Sequence, residues 1–146
     1  MPLIKTILLL SVAYGLCSCV TVPNQDGLLA PTQGTLSKNK KIGDAEAKIT
    51  ITSTRTNSNQ IELNVRHIGA LNKINPRAKN YIVWELPAGT SMKPQSLGPL
   101  YIDKTSQGKL KTVTPFRNFD IFITAESAPN PAQPTGEKLF WTTINR

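Results

Sequence analysis

A chain of 146 residues, 39% of them apolar, can bury a domain core without disulfides. With one histidine and two cysteines, Cys17 and Cys19, it cannot assemble the usual four-ligand zinc site. The net charge of +8 favours anionic partners such as lipid headgroups, acidic polysaccharide or nucleic acid.

The chain begins with the order of an export signal. Lys5 precedes the apolar run Ile7 to Gly15, and Leu16-Cys17-Ser18-Cys19 follows. The run is shorter than the about 20 residues of a membrane span, and Pro23-Asn24-Gln25-Asp26 stops it. The Leu-Cys-Ser-Cys tetrad resembles the lipobox of bacterial lipoproteins. Of the two cysteines, Cys19 is the better acceptor, because Leu16 stands three places before it and Ser18 directly before it. The resemblance implies a diacylglyceryl thioether on Cys19, removal of residues 1–18, and acylation of the new amino group by a chain such as palmitate. A single acyl chain anchors only marginally, whereas two or three hold the protein on the membrane. Two other readings of the same residues are an uncleaved anchor helix and ordinary secretion with cleavage after Ala13-Tyr14-Gly15. In lipoproteins the residue after the modified cysteine influences sorting. Val20 stands there, so the resemblance points to a cell-envelope location, on the outer membrane facing the periplasm of a Gram-negative cell. An exported, tethered protein meets little nucleic acid, so no nucleic-acid partner is expected. Loss of Lys5 leaves about +7, and no disulfide remains open to a chain whose only cysteine is Cys19.

Residues 19–44 are rich in Pro, Gly, Asn, Gln, Ser and Lys and show little periodicity, which predicts a flexible tether. The pattern changes at Ala45. Ala47, Ile49 and Ile51 alternate with Lys48, Thr50 and Thr52, and Ile61, Leu63 and Val65 alternate with Glu62, Asn64 and Arg66. Thr56-Asn57-Ser58-Asn59 between them has turn chemistry and predicts a hairpin. Tyr81-Ile82-Val83-Trp84-Glu85-Leu86 is apolar on both parities, as in a strand covered on both faces. Leu97 to Ile102 is a strand whose Gly98-Pro99 marks an edge, bend or bulge. Lys109 to Thr114 returns. Phe119, Ile121 and Ile123 then alternate with Asp120, Phe122 and Thr124, and a Pro-rich loop from Ala128 to Glu137 leads to a last strand containing Leu139 and Trp141.

No stretch carries a helical stripe. About seven short strands in residues 45–146 predict an all-β, immunoglobulin-like antiparallel β-sandwich. Trp84 is expected at the centre of its core, surrounded by Ile82, Phe119, Ile121, Ile123 and Leu63.

The ordered set Tyr81-Ile82-Val83-Trp84, Leu97-Gly98-Pro99-Leu100, Phe119 to Glu126, Pro129-Asn130-Pro131 and Gln133 to Glu137 resembles the extracytoplasmic C-terminal domain of anti-sigma-K-type factors. The resemblance covers residues 45–146 and is strongest from Tyr81 onward. It implies a β-sandwich with a sensing or binding role outside the membrane, and it carries over no catalytic residue. The sigma-binding segment and membrane helix that precede this domain in such factors have no counterpart in these residues.

His67 lacks the nucleophile and orienting acid of a triad, and no serine sits in a Gly-x-Ser-x-Gly turn. Asp120 and Glu126 share a face of one strand but lie at its two ends, some 20 Å apart, beyond the spacing of a glycosidase pair; a wet sheet face is expected there. The loop from Ala128 to Glu137 is the best binding candidate, since its prolines lower the cost of ordering on binding. Arg66, Lys73, Arg77 and Lys79 form a basic segment suited to an anion. The sequence therefore reads as a non-enzymatic, lipid-anchored envelope module with no catalytic residue, metal or cofactor. Its expected partners are the membrane, an envelope protein or an anionic envelope polymer. The alternative is an accessory part of an envelope-sensing, anti-sigma-type pathway.

Overall fold

The computed structural model describes residues 30–146; Cys19, the export signal and the first part of the tether lie outside the described residues. Nine strands occur among those residues: β1 Thr32–Thr35, β2 Ser37–Lys38, β3 Glu46–Ser53, β4 Asn59–Arg66, β5 Asn80–Pro87, β6 Gln95–Leu100, β7 Gly108–Thr114, β8 Phe119–Glu126 and β9 Lys138–Ile144. They form two antiparallel sheets, in the order β1-β3-β4-β7 and β2-β9-β8-β5-β6. The domain is an all-β sandwich. Strands β3 to β9 are the seven expected from the sequence. β4 lies between its consecutive neighbour β3 and the distant β7, as the second strand of an immunoglobulin-type sheet lies beside its predecessor and a strand distant in sequence.

The two extra strands correct the tether boundary. Thr32 to Thr35 pair with Ile51 to Lys48, and Ser37 and Lys38 pair with Trp141 and Phe140. The chain passes from one sheet to the other at Leu36, which is 4% exposed and whose amide bonds Ala47 O at 2.9 Å. A 3₁₀ turn, Lys40–Ile42, then buries Ile42, with the Asn39 side chain accepting from the Lys41 amide at 3.0 Å. Both strands are edges held by backbone hydrogen bonds. An edge needs no apolar alternation, so polar composition concealed them. A single turn of helix, α1 (Leu71–Ile74), precedes β5 and packs Leu71 and Ile74 against the core.

Between the sheets, Ile49 and Ile51 of β3 stand beside Leu63 and Ile61 of β4 and meet Val83, Phe119, Ile121, Ile123 and Phe140 of the other sheet. Each fully buried side chain of this size contributes about 1.5–3 kcal/mol relative to exposure. Trp84 is not among them. It forms a separate cluster with Ile82 and Phe122 on the opposite face of the five-stranded sheet, with Leu86 packed against it. The correction follows from period two. Tyr81, Val83 and Glu85 occupy the inward parity of β5, so Ile82, Trp84 and Leu86 must point the other way. β6 is an edge, which leaves the missing N–H of Pro99 without cost, and its register slips beside Val83 and Trp84, with Gly98 at φ 122°.

Candidate functional site

The outer face of the four-stranded sheet is where side chains far apart in sequence converge. Alternation turns Ala47 and Ile49 of β3 inward and leaves Glu46, Lys48 and Thr50 outward. In β4 the outward set is Glu62, Asn64 and Arg66, and in β7 it is Lys109 and Lys111. Register then makes rows. Lys48 stands opposite Asn64, and Asn64 stands opposite Lys109, so two lysines flank one amide across three strands. Two strand spacings separate their backbones by about 10 Å. Arg66 lies two residues along β4 from Asn64, with Glu46 as its cross-strand neighbour. Thr35 of β1 extends the first row beyond Lys48.

These residues line a cleft of about 460 Å³ that also takes in Gln33, Gln107 and Thr50. Lys111 is occupied: its ammonium lies 3.2 Å from Glu62, and that contact holds the Glu62 carboxyl below its ordinary range. The only other ion pair among the described residues is Lys41–Glu137 at 2.6 Å. Lys48, Arg66 and Lys109 face the cleft as exposed cations in no close ion pair, with Glu46 across the strand from Arg66 and the charge of Lys109 also acting on Glu62. The rest of the lining is the amides and hydroxyls of Asn64, Gln33, Gln107, Thr35 and Thr50, the Glu46 carboxylate, and Ile49 and Val65. Such a site can hold negative charge and donate hydrogen bonds to hydroxyl groups; no nucleophile with a base beside it lines it.

The sequence-derived candidates fall elsewhere. Cys19 lies outside the described residues. His67 is exposed after β4, in a left-handed conformation with φ 56°. The basic segment is divided: Arg66 reaches the cleft, whereas Lys79 lines a second cleft of about 410 Å³ beside Tyr81, Tyr101 and Ile102, and Lys73 and Arg77 line neither. Among the described residues no three His, Cys, Asp or Glu groups gather as metal ligands, and no helix is long and apolar enough to cross a membrane.

Asp120 and Glu126 do lie at the two ends of β8, but the face between them is not wet. Phe122, Thr124 and Glu126 are all buried. Asp120 accepts from the Thr143 hydroxyl at 2.6 Å. Glu126 accepts from the Thr124 hydroxyl at 2.6 Å, from the amides of Thr135 and Gly136 at 3.0 Å each, and from the Thr135 hydroxyl. Burial alone would raise its carboxyl; the hydroxyl and amide donors outweigh burial and hold it below the ordinary carboxylate range. The loop expected to bind is thus tied down at its end. Glu137 continues the attachment, accepting from Lys41 at 2.6 Å and Asn39 at 2.7 Å, and Lys138 places its ammonium 4.3 Å from the Phe122 ring centre.

The residues missed by sequence reasoning are Lys48, Asn64 and Lys109. Their common signal was parity, since each is the polar partner in a period-two strand. Which strands lie side by side was the absent information.

Comparison with protein-family models, curated proteins and solved structures finds no match to this chain.

Proposed function

We propose that the protein is a lipid-anchored, non-enzymatic binding module of the bacterial cell envelope. The observation that carries this reading is the run Lys5, Ile7 to Gly15 and Leu16-Cys17-Ser18-Cys19, whose order matches a lipoprotein signal with Cys19 as acceptor. The sandwich supports it by beginning at Thr32, which leaves Val20 to Pro31 as the connection to the anchor. At about 3.3 Å per residue that connection spans at most about 40 Å, so the domain works close to the membrane that holds it. The exposed polar cleft supports binding as its role, and the location follows from the anchor: the outer membrane, facing the periplasm, in a Gram-negative cell.

A second reading, an accessory role in an anti-sigma-type sensing pathway, is favoured by one observation. The residues that carry that resemblance lie together on β5, β6 and β8 of one sheet and on the loop bonded to Glu126.

Intact mass of the protein extracted from membranes, wild type beside Cys19→Ala, tests the anchor. Loss of residues 1–18 with gain of a diacylglyceryl group, absent in the variant, supports the proposal. An unmodified or uncleaved product in both would overturn it.

A further inference from the structure

We propose that the cleft on the outer face of the four-stranded sheet binds an acidic polysaccharide, a chain of sugars bearing carboxylates. The inference rests on reading the domain as an envelope binding module and names the ligand class of that module.

Three observations carry it. The first is where the acids go. Glu85 and Glu126 are buried, Glu62 and Glu137 are paired with lysines, and Asp120 accepts from Thr143. Asp103 is spent on its own turn, accepting from the amides of Thr105 and Gln107 at 2.8 and 3.0 Å. Asp44 and Glu46 stay exposed outside these pairings, Glu46 within the cleft itself, so the lining sets Lys48, Arg66 and Lys109 against one carboxylate. The second is the spacing of these cations. The backbones of Lys48 and Lys109 stand about 10 Å apart across β3, β4 and β7, with Arg66 displaced along β4. One phosphate requires converging donors; cations spread along a trough match charges repeated along a polymer. The third is what lies between them. Asn64, Thr35, Gln33 and Gln107 are neutral donors and acceptors of the kind that sugar hydroxyls engage. A bilayer surface is flat over the width of a sheet and meets a concave face only at its rims, so the floor amides favour a polymer strand over headgroups.

The test uses the full-length chain in detergent at 150 mM salt. The probes are polygalacturonate, neutral dextran and phosphatidylglycerol vesicles. Expected is binding to polygalacturonate and not to dextran, weakened about tenfold by Lys48→Gln/Lys109→Gln and less than about twofold by Lys73→Gln/Arg77→Gln, which removes the same charge away from the cleft. All four lysines and arginines are exposed, so thermal unfolding of both variants should match wild type. No binding to polygalacturonate, equal loss in the two variants, equal binding to dextran, or binding to the vesicles alone would overturn the proposal. Intact mass of the same preparations reports the anchor independently, so failure of the ligand and failure of the lipoprotein reading are separately visible.

Discussion

The Trp84 indole donates a hydrogen bond of 2.9 Å to the hydroxyl of Thr124, and that hydroxyl donates at 2.6 Å to Glu126. The relay ends in the backbone of the loop, whose Thr135 and Gly136 amides close on the same carboxylate. A buried polar chain of this kind is stable only when every member is satisfied. It joins the outer apolar cluster of Ile82, Trp84 and Phe122 to the loop between β8 and β9.

Glu126→Ala is therefore expected to release that loop. Two amides and two hydroxyls lose a charged acceptor, at a cost of about 3 kcal/mol, measured as a lower urea midpoint with loss of amide-exchange protection at Thr135 and Gly136. The pH dependence has a definite sign. The folded carboxyl lies below the ordinary value of 4.5, so its stabilisation is complete above that value and declines as pH falls through the folded value. In Glu126→Gln this acid-side loss should shrink.

Glu85 should behave in the opposite sense. It lies on the inward parity of β5, 4% exposed, and its Oε2 has no hydrogen-bond partner. Burial pushes its carboxyl up, offset in part by the Thr114 hydroxyl. The folded state thus holds its proton beyond the ordinary value of 4.5, and stability falls as pH rises from there through the folded value. Glu85→Gln is expected to raise stability at pH 7 by about 1 kcal/mol and to flatten that decline, read from urea unfolding across pH 4 to 8. A less stable variant at pH 7 would show that the carboxylate has a partner when charged.

Gly136 approaches the sheet too closely for a side chain. A Cβ there would sit 2.3 Å from Ala125 O. Gly136→Ala should cost about 1–3 kcal/mol through forced displacement of the loop. Gly89→Ala serves as its control for space, because nothing lies within 4 Å of a Cβ at that position, and only the strain of φ +69° applies. Thermal unfolding of the pair separates contact from conformation.

Trp84→Ala should cost about 3–5 kcal/mol as a large truncation, even though the ring lies outside the main core. Trp84→Phe keeps most of the packing against Phe122, 6.5 Å away between ring centres, and removes the indole donor. Its cost should be about 1 kcal/mol, with the Thr135 and Gly136 amides still protected.

Leu36 tests the domain boundary. Leu36→Ala should lower stability by about 2–5 kcal/mol, a loss that a residue in a solvated tether would not produce. Truncation to Ala45, which deletes β1 and β2 and uncovers the edges of β3 and β9, should give aggregation or exchange-unprotected amides along β3.

The sequence by itself announced strands β3 to β9, and in β3, β4, β8 and β9 their alternation, because a strand half-buried on a sheet must repeat every two residues and its neighbours along the chain are enough to show it. It also marked β6 at Gly98-Pro99 as an edge, bend or bulge, since a missing N–H is a local fact. Tertiary structure alone decided which parity of β5 faces the main core. Both parities are apolar, and the choice between Val83 and Trp84 depends on what covers each face. It alone turned Thr32–Thr35 and Ser37–Lys38 into strands, because their stability comes from backbone bonds to β3 and β9 and leaves no apolar signature. And it alone brought Lys48, Asn64 and Lys109 into one row, since cross-strand register is set by the packing of whole sheets and no spacing along the chain records it.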